Sequence, residues 1–214
     1  MTKAIIFDLE GVIIDTQQFW TKTTRAVVEA RGKVYDRARL LPLMAGCSLP
    51  QGTAVLKREA ELEDPLEALI EERLTRMKQE LAKGTEFIDG FREFFEAIRE
   101  QRQHAIATSM TRHLLGPASE SLGLHQLFGG HLYDVSMVGD RGKPAPDLFL
   151  LAAERLGVDP AECTVIEDAP NGIEAARCAG MRSIGIATTF GREKLASAEL
   201  VIESFDEIPL AETI

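Results

Sequence analysis

Four short stretches of this 214-residue chain hold the side chains best suited to chemistry. They are Asp8-Leu9-Glu10-Gly11 (running on to Asp15-Thr16), Thr108-Ser109, Gly142-Lys143-Pro144 and Glu167-Asp168-Ala169-Pro170. Asp8, Glu167 and Asp168 are hard oxygen donors, the ligand type that suits Mg²⁺. Such an ion neutralises and polarises a phosphoryl group. An aspartate such as Asp8 is a competent nucleophile, forming an acyl-phosphate that water then cleaves. Lys143 can neutralise that aspartate and the phosphate oxygens together. The Thr108 hydroxyl and the backbone N–H groups after it, where a helix begins, can hold the remaining oxygens. Glu10 can protonate a leaving alcohol and later activate water. Each stretch alone has a duller reading: a turn cap, a surface lysine, or acids opening a helix. Four together at predicted strand ends make a site.

The elements that must position them are legible as runs. Ala4–Phe7, Ala105–Ala107, Thr164–Ile166, Ser183–Ile186 and Leu200–Ile202 are short apolar segments, as strands buried on both faces read. Helical patterns lie between them. Phe91, Phe94, Phe95 and Ile98 share one helical face, Pro146–Leu156 is closed by Gly157, and Ile173–Ala179 is closed by Gly180. Alternation of this kind predicts a parallel α/β sheet, which brings the strand ends to one edge.

Residues 17–83 break the rhythm and contain no convincing strand. Their clearest helix runs from Pro65 to Lys83, with Asp64 and Glu67 placed as a capping box. Its expected apolar face is Leu66, Leu69, Ile70, Leu74, Met77 and Leu81, with its charges on a solvated face. The expectation is a helical cap domain over 17–83, inserted into a core made of 1–16 and 84–214. A cap leaving from the ligand-binding edge is placed to act as a lid.

Composition narrows the function. The chain carries 34 acidic against 24 basic residues, a net charge of −10. That argues against nucleic acid or an anionic membrane as a partner. No apolar run approaches ~18 residues, and acids interrupt the first fifteen positions, so a cytoplasmic location is expected. Cys47, Cys163 and Cys178 form no metal-ligand pattern and read as reduced, small core residues. Gly139–Lys143 superficially suggests a nucleotide-binding loop, but Pro144 stands where the hydroxyl for Mg²⁺ is needed. Arg112 reads as a solvent-exposed helix residue, and Asn171 as ordering the loop after Asp168.

In order and spacing, the four stretches resemble the haloacid dehalogenase (HAD) superfamily, in particular its phosphatases with a helical cap after the first motif. The resemblance implies a Rossmann-like sheet of order 5-4-1-2-3 with Asp8 on the central strand. It implies catalytic roles for Asp8, Glu10 and Lys143, and phosphate binding by Thr108, Ser109 and Lys143. It also implies Mg²⁺ ligation by Asp8, residue 10 through its carbonyl, Glu167 and Asp168. The expected activity is Mg²⁺-dependent hydrolysis of a small phosphorylated metabolite through an aspartyl-phosphate, by a monomer or weak dimer. Glu10 departs from the family's usual Asp, and one extra methylene shifts the carboxyl by roughly a bond length, enough to slow turnover ~100-fold. Gly46-Cys47-Ser48-Leu49-Pro50 resembles the substrate-facing cap loop, so Gly46 and Ser48 are candidates for substrate contact. In similar β-phosphoglucomutases an Arg stands at the position of Leu49 and often a His at that of Trp20. Trp20 either walls the substrate or packs the first cap helix. A phosphosugar mutase and a low-turnover phosphate-binding protein remain alternatives.

Overall fold

The structure is a computed structural model that describes residues 2–209. Strand β1 (Ala4–Phe7) leads into four helices: α1 (Gln17–Glu29), α2 (Arg37–Met44), α3 (Leu49–Glu59) and α4 (Leu66–Leu81). The chain then continues through α5 (Phe91–Ile98), β2 (Gln103–Thr108), α6 (Arg112–Leu122), α7 (Leu124–Leu127) and β3 (Leu132–Asp134). It closes with α8 (Asp147–Leu156), β4 (Cys163–Glu167), α9 (Pro170–Cys178), β5 (Arg182–Ile186) and β6 (Leu200–Ile202).

The six strands form one sheet in the order β3-β2-β1-β4-β5-β6, with every pair parallel. This is the expected order read from the other edge, with β6 added beyond β5. The short strand β3 did not show as an apolar run. It is three residues long and ends in Asp134, which accepts from the Ser136 N–H to start the next turn.

Alternation along the strands feeds two separate cores. Ile5, Phe7, Ile106 and Ile166 face α5 and α6, while Ala4, Ile6, Ala105 and Val165 face α8 and α9. The first core is aromatic. Phe7 makes edge-on contacts with Phe91, Phe94, Phe95 and Phe128. The insert has a third core of its own, built on Val27, Val28, Leu40, Leu56, Leu62 and Leu69.

The two chain crossings into the insert run side by side. Ile14 bridges Phe87 in antiparallel fashion, and the Ile88 N–H donates to the Ile13 carbonyl at 2.8 Å. Helix α4 corrects two expectations. Its N-cap is Pro65 with no side-chain cap, because the Asp64 carboxylate accepts two hydrogen bonds from Arg31 instead. Its buried stripe also contains a charge: Arg73 sits between Leu69 and Met77. The cysteines are free, but only Cys163 is a core residue: Cys47 is half-buried and Cys178 is exposed. Among the described residues no helix is long and apolar enough to cross a membrane.

Phe95→Ala should cost about 3–5 kcal/mol of stability in denaturant unfolding, since it empties the centre of the aromatic core. Val34→Ala, at a position 89% exposed, should stay within about 0.5 kcal/mol.

Candidate active site

Asp8 follows the last residue of β1, Thr108 closes β2, and Glu167 closes β4 with Asp168 next. Parallel pairing sets these ends side by side: Phe7 is in register with Ile106 and with Ile166. Lys143 comes differently. It lies on the loop between β3 and α8, not at a strand end, and reaches inward over the Phe149 ring at 4.9 Å.

The Lys143 ammonium is 2% exposed and donates to Asp8 Oδ1 at 2.6 Å and to Glu167 Oε1. Burial works against its charge, but the two carboxylates outweigh burial and keep it protonated well above the ordinary lysine range. One cation among three buried acids leaves negative charge uncompensated. Burial, with the Glu167 charge adding, pushes Asp8 up to about 7 although Lys143 pulls it down. Burial and then the Glu167 and Asp8 charges hold Asp168 well above the usual carboxylate range.

Two glycines make room for this crowding. A Cβ at Gly11, whose φ is +76°, would lie 2.0 Å from Asp168 Oδ2. A Cβ at Gly172 would lie 1.9 Å from the Glu167 carboxyl group. Neither position accepts a side chain without displacing an acid.

The donor set fits a divalent cation. Asp8, Glu167 and Asp168 each offer a carboxylate oxygen within 4.8 Å of the others, and all three are buried. They are hard anionic ligands whose charge exceeds that of the one lysine beside them. Mg²⁺ bound there would supply the missing positive charge.

The remaining expected residues fall on one cavity of about 130 Å³, which Asp8, Glu10, Trp20, Gly46, Ser48, Thr108, Ser109, Lys143 and Asp168 all line. That is room for about four waters at ~30 Å³ each. Thr108 is buried, and its Oγ1 accepts from the Met110 N–H at 3.0 Å. The Ser109 hydroxyl is spent on the insert: it donates to the Gly46 carbonyl at 3.1 Å. Asn171 does the same from the other side, donating to the Ala45 carbonyl at 3.3 Å. Ser48 is the N-cap of α3, in a capping box with Gln51. Arg112 is a surface residue, 3.6 Å from Asp134.

Glu10 accepts from Trp20 Nε1 at 2.5 Å and from Thr16 Oγ1 at 2.8 Å. Trp20 therefore does more than form a wall or pack a helix, because it ties α1 to the acid. Burial raises the Glu10 pKa, and these two bonds oppose the rise.

Two participants were not read from the sequence. Thr189, in the turn after β5, lines the cavity beside Asp168, and Arg73 lines it from α4. The second had a signal, since Leu69, Arg73, Met77 and Leu81 recur at four-residue intervals.

The family model for haloacid dehalogenase-like hydrolases matches residues 2–180. The chain belongs to that family. It is 35% identical over 190 residues to a phosphorylated carbohydrates phosphatase of Thermotoga maritima, covering 85% of this chain and 83% of that one. It is 32% identical over 186 residues to a fructose-1-phosphate phosphatase of Escherichia coli, covering 85% and 95%. Among solved structures, CbbY of Rhodobacter sphaeroides in complex with phosphate superposes with a TM-score of 0.84 at 25% identity, covering 99% and 98%. A HAD hydrolase of Entamoeba histolytica superposes with a TM-score of 0.86 at 26% identity, covering 99% and 97%.

The charge balance has a pH signature. A carboxyl raised from 3.8 to about 7 by folding favours the native state only while it keeps its proton. Its contribution is lost as pH rises through that window, and a bound cation restores stability where Asp8 is ionised. Mg²⁺ should therefore raise the melting temperature more at about pH 7.5 than at about pH 5.5, by roughly 5 °C or more at saturation. Differential scanning calorimetry checks this.

Proposed function

We propose that this phosphatase of the HAD superfamily hydrolyses a small phosphomonoester, a sugar or short-acid phosphate, through an aspartyl-phosphate on Asp8. The observation that carries this reading is the Lys143-bridged acid cluster opening on a cavity that helices α1 to α4 wall from the other side. The relatives that are phosphatases of sugar phosphates support the substrate class.

Mg²⁺, held by Asp8, Glu167, Asp168 and the carbonyl of Glu10, would screen the phosphate charge and polarise phosphorus. Lys143 holds Asp8 in place and meets the phosphate oxygens from the other side. The Thr108 hydroxyl takes a further oxygen. The Asp8 carboxylate attacks phosphorus, and the ester oxygen leaves with a proton from Glu10. Glu10 then takes a proton from the water that cleaves the acyl-phosphate. Its burial favours the protonated form needed first, and the Trp20 and Thr16 donors favour the carboxylate needed second.

Residues 17–83 act as the lid, hinged where residues 13–16 run beside 85–88. Three bonds hold it shut over the cavity: Trp20 to Glu10, Ser109 to Gly46, and Asn171 to Ala45. Anchoring by two donors supports a working acid/base at Glu10 over a phosphate-binding protein. Leu49 is buried at the start of α3 and offers no cation for the second phosphate of a mutase substrate.

A panel of sugar and short-acid phosphates, with p-nitrophenyl phosphate, should release phosphate only with Mg²⁺. No Mg²⁺-dependent release from any of them would overturn the reading. Asp8→Asn should abolish turnover. Glu10→Asp should lower kcat by ~100-fold, because the shorter arm gives up the Trp20 and Thr16 bonds. A faster Glu10→Asp enzyme would show that the site is not built around glutamate.

A further inference from the structure

The catalytic cavity backs onto a second, outer groove. Gly11, Gln17, Thr21 and Thr189 line both. A single layer of residues therefore separates the two, supplied by the loop after β1, the start of α1 and the turn after β5. The outer groove is the larger, about 870 Å³ against about 130 Å³. It follows the exposed side of α1, where Gln18, Arg25 and Glu29 line it.

Charge sets this groove apart from the rest of the surface. Residues 22–39 hold six basic and two acidic side chains, in a chain whose net charge is −10. Four of the six are in ion pairs: Lys22 with Glu80, Arg31 with Asp64 and Glu72, Lys33 with Glu61, and Arg39 with Glu59. Arg25 and Arg37 form no ion pair among the described residues, and both line the groove. Arg25 lies over the Tyr35 ring, 5.5 Å from its centre, and Tyr35 in turn lines the catalytic cavity. Arg37 opens α2, where the helix dipole disfavours a cation, so helix stability does not account for it. The acids of the groove are Asp15 and Glu29, outnumbered by Arg25, Arg37 and Lys22.

A phosphate monoester is an anion at neutral pH, and an acidic protein repels it at long range. Unpaired guanidinium groups at the rim of a cleft reverse that field locally, and they match phosphate oxygens. We propose that the outer groove is the mouth of the catalytic cavity, with Arg25 and Arg37 gathering the phosphate anion there. Substrate enters and inorganic phosphate leaves between α1 and the turn after β5, past Thr21 and Thr189. The inference rests on the phosphatase reading and adds to it a route and two residues that touch the ligand only in transit.

The test measures rates of phosphate binding. Trp20 is the chain's one tryptophan and lines the catalytic cavity, so its fluorescence reports arrival there. Stopped-flow mixing of the Mg²⁺-loaded protein with inorganic phosphate gives association and dissociation rates. Arg25→Glu with Arg37→Glu should slow association about tenfold at ~20 mM NaCl, and the deficit should close by ~0.5 M, because salt screens steering. The kcat/KM for p-nitrophenyl phosphate should follow the same salt pattern. Lys78→Glu, a reversal on α4 outside the groove, should change association less than about twofold. Thr21→Phe, which narrows the shared wall, should slow association and dissociation by the same factor and leave Kd unchanged, the signature of a passage. Association and kcat/KM that are unchanged in the double variant, or a deficit that persists at high salt, overturn the proposal. A Thr21→Phe protein whose two rates match the parent's overturns it as well. A parent protein that hydrolyses no monoester and shows no response to phosphate counts against the phosphatase reading instead.

Discussion

Three carboxylates packed at the end of a parallel sheet, with one lysine among them, are the constraint on which this structure turns. Asp8, Glu167 and Asp168 are buried, and like charges at that range in a poorly solvated site repel strongly. Lys143 offsets part of that repulsion by bonding two of the acids. The remainder is the driving force for a divalent cation and, behind it, a phosphate. A net charge of −10 and a taste for a small anion are thereby compatible. Lys143, with a divalent cation bound beside it as proposed, would reverse the local field, while the wider surface still repels polyanions.

The scaffold is arranged around that cluster. Central position in the sheet gives Asp8 neighbours on both sides, so that β2 and β4 deliver Thr108 and Glu167 in register. The aromatic core under Phe7 anchors the strand that Asp8 follows. Glycine at positions 11 and 172 is required because the space of a Cβ is taken by Asp168 and Glu167.

The extra methylene of Glu10 finds its explanation in α1. A longer arm carries the carboxyl to Trp20 on α1, and the Trp20 ring in turn lies beneath Arg73 on α4. The acid, the aromatic ring and the buried cation form one continuous contact from core to insert. The acid is thereby positioned by a residue of α1 and not by the core alone.

Much of this was legible from residue types and order. The apolar runs marked five of the six strands, and the Phe91–Ile98 face and the Gly157 stop marked helices that form as expected. The acids and Lys143 pointed to phosphoryl chemistry because carboxylates suit a divalent cation and a lysine suits phosphate oxygens. What the chain could not reveal by itself were pairings between distant side chains. Asp64 reads as a helix cap until Arg31 takes its carboxylate, and no local pattern foretells that the Ser109 hydroxyl meets the Gly46 carbonyl. Arg73 reads as surface charge until helix packing turns it inward. Local patterning reports burial and periodicity, which the backbone enforces within a few residues. The partner of a polar group depends on which elements the fold brings within about 3 Å, and only the tertiary structure decides that.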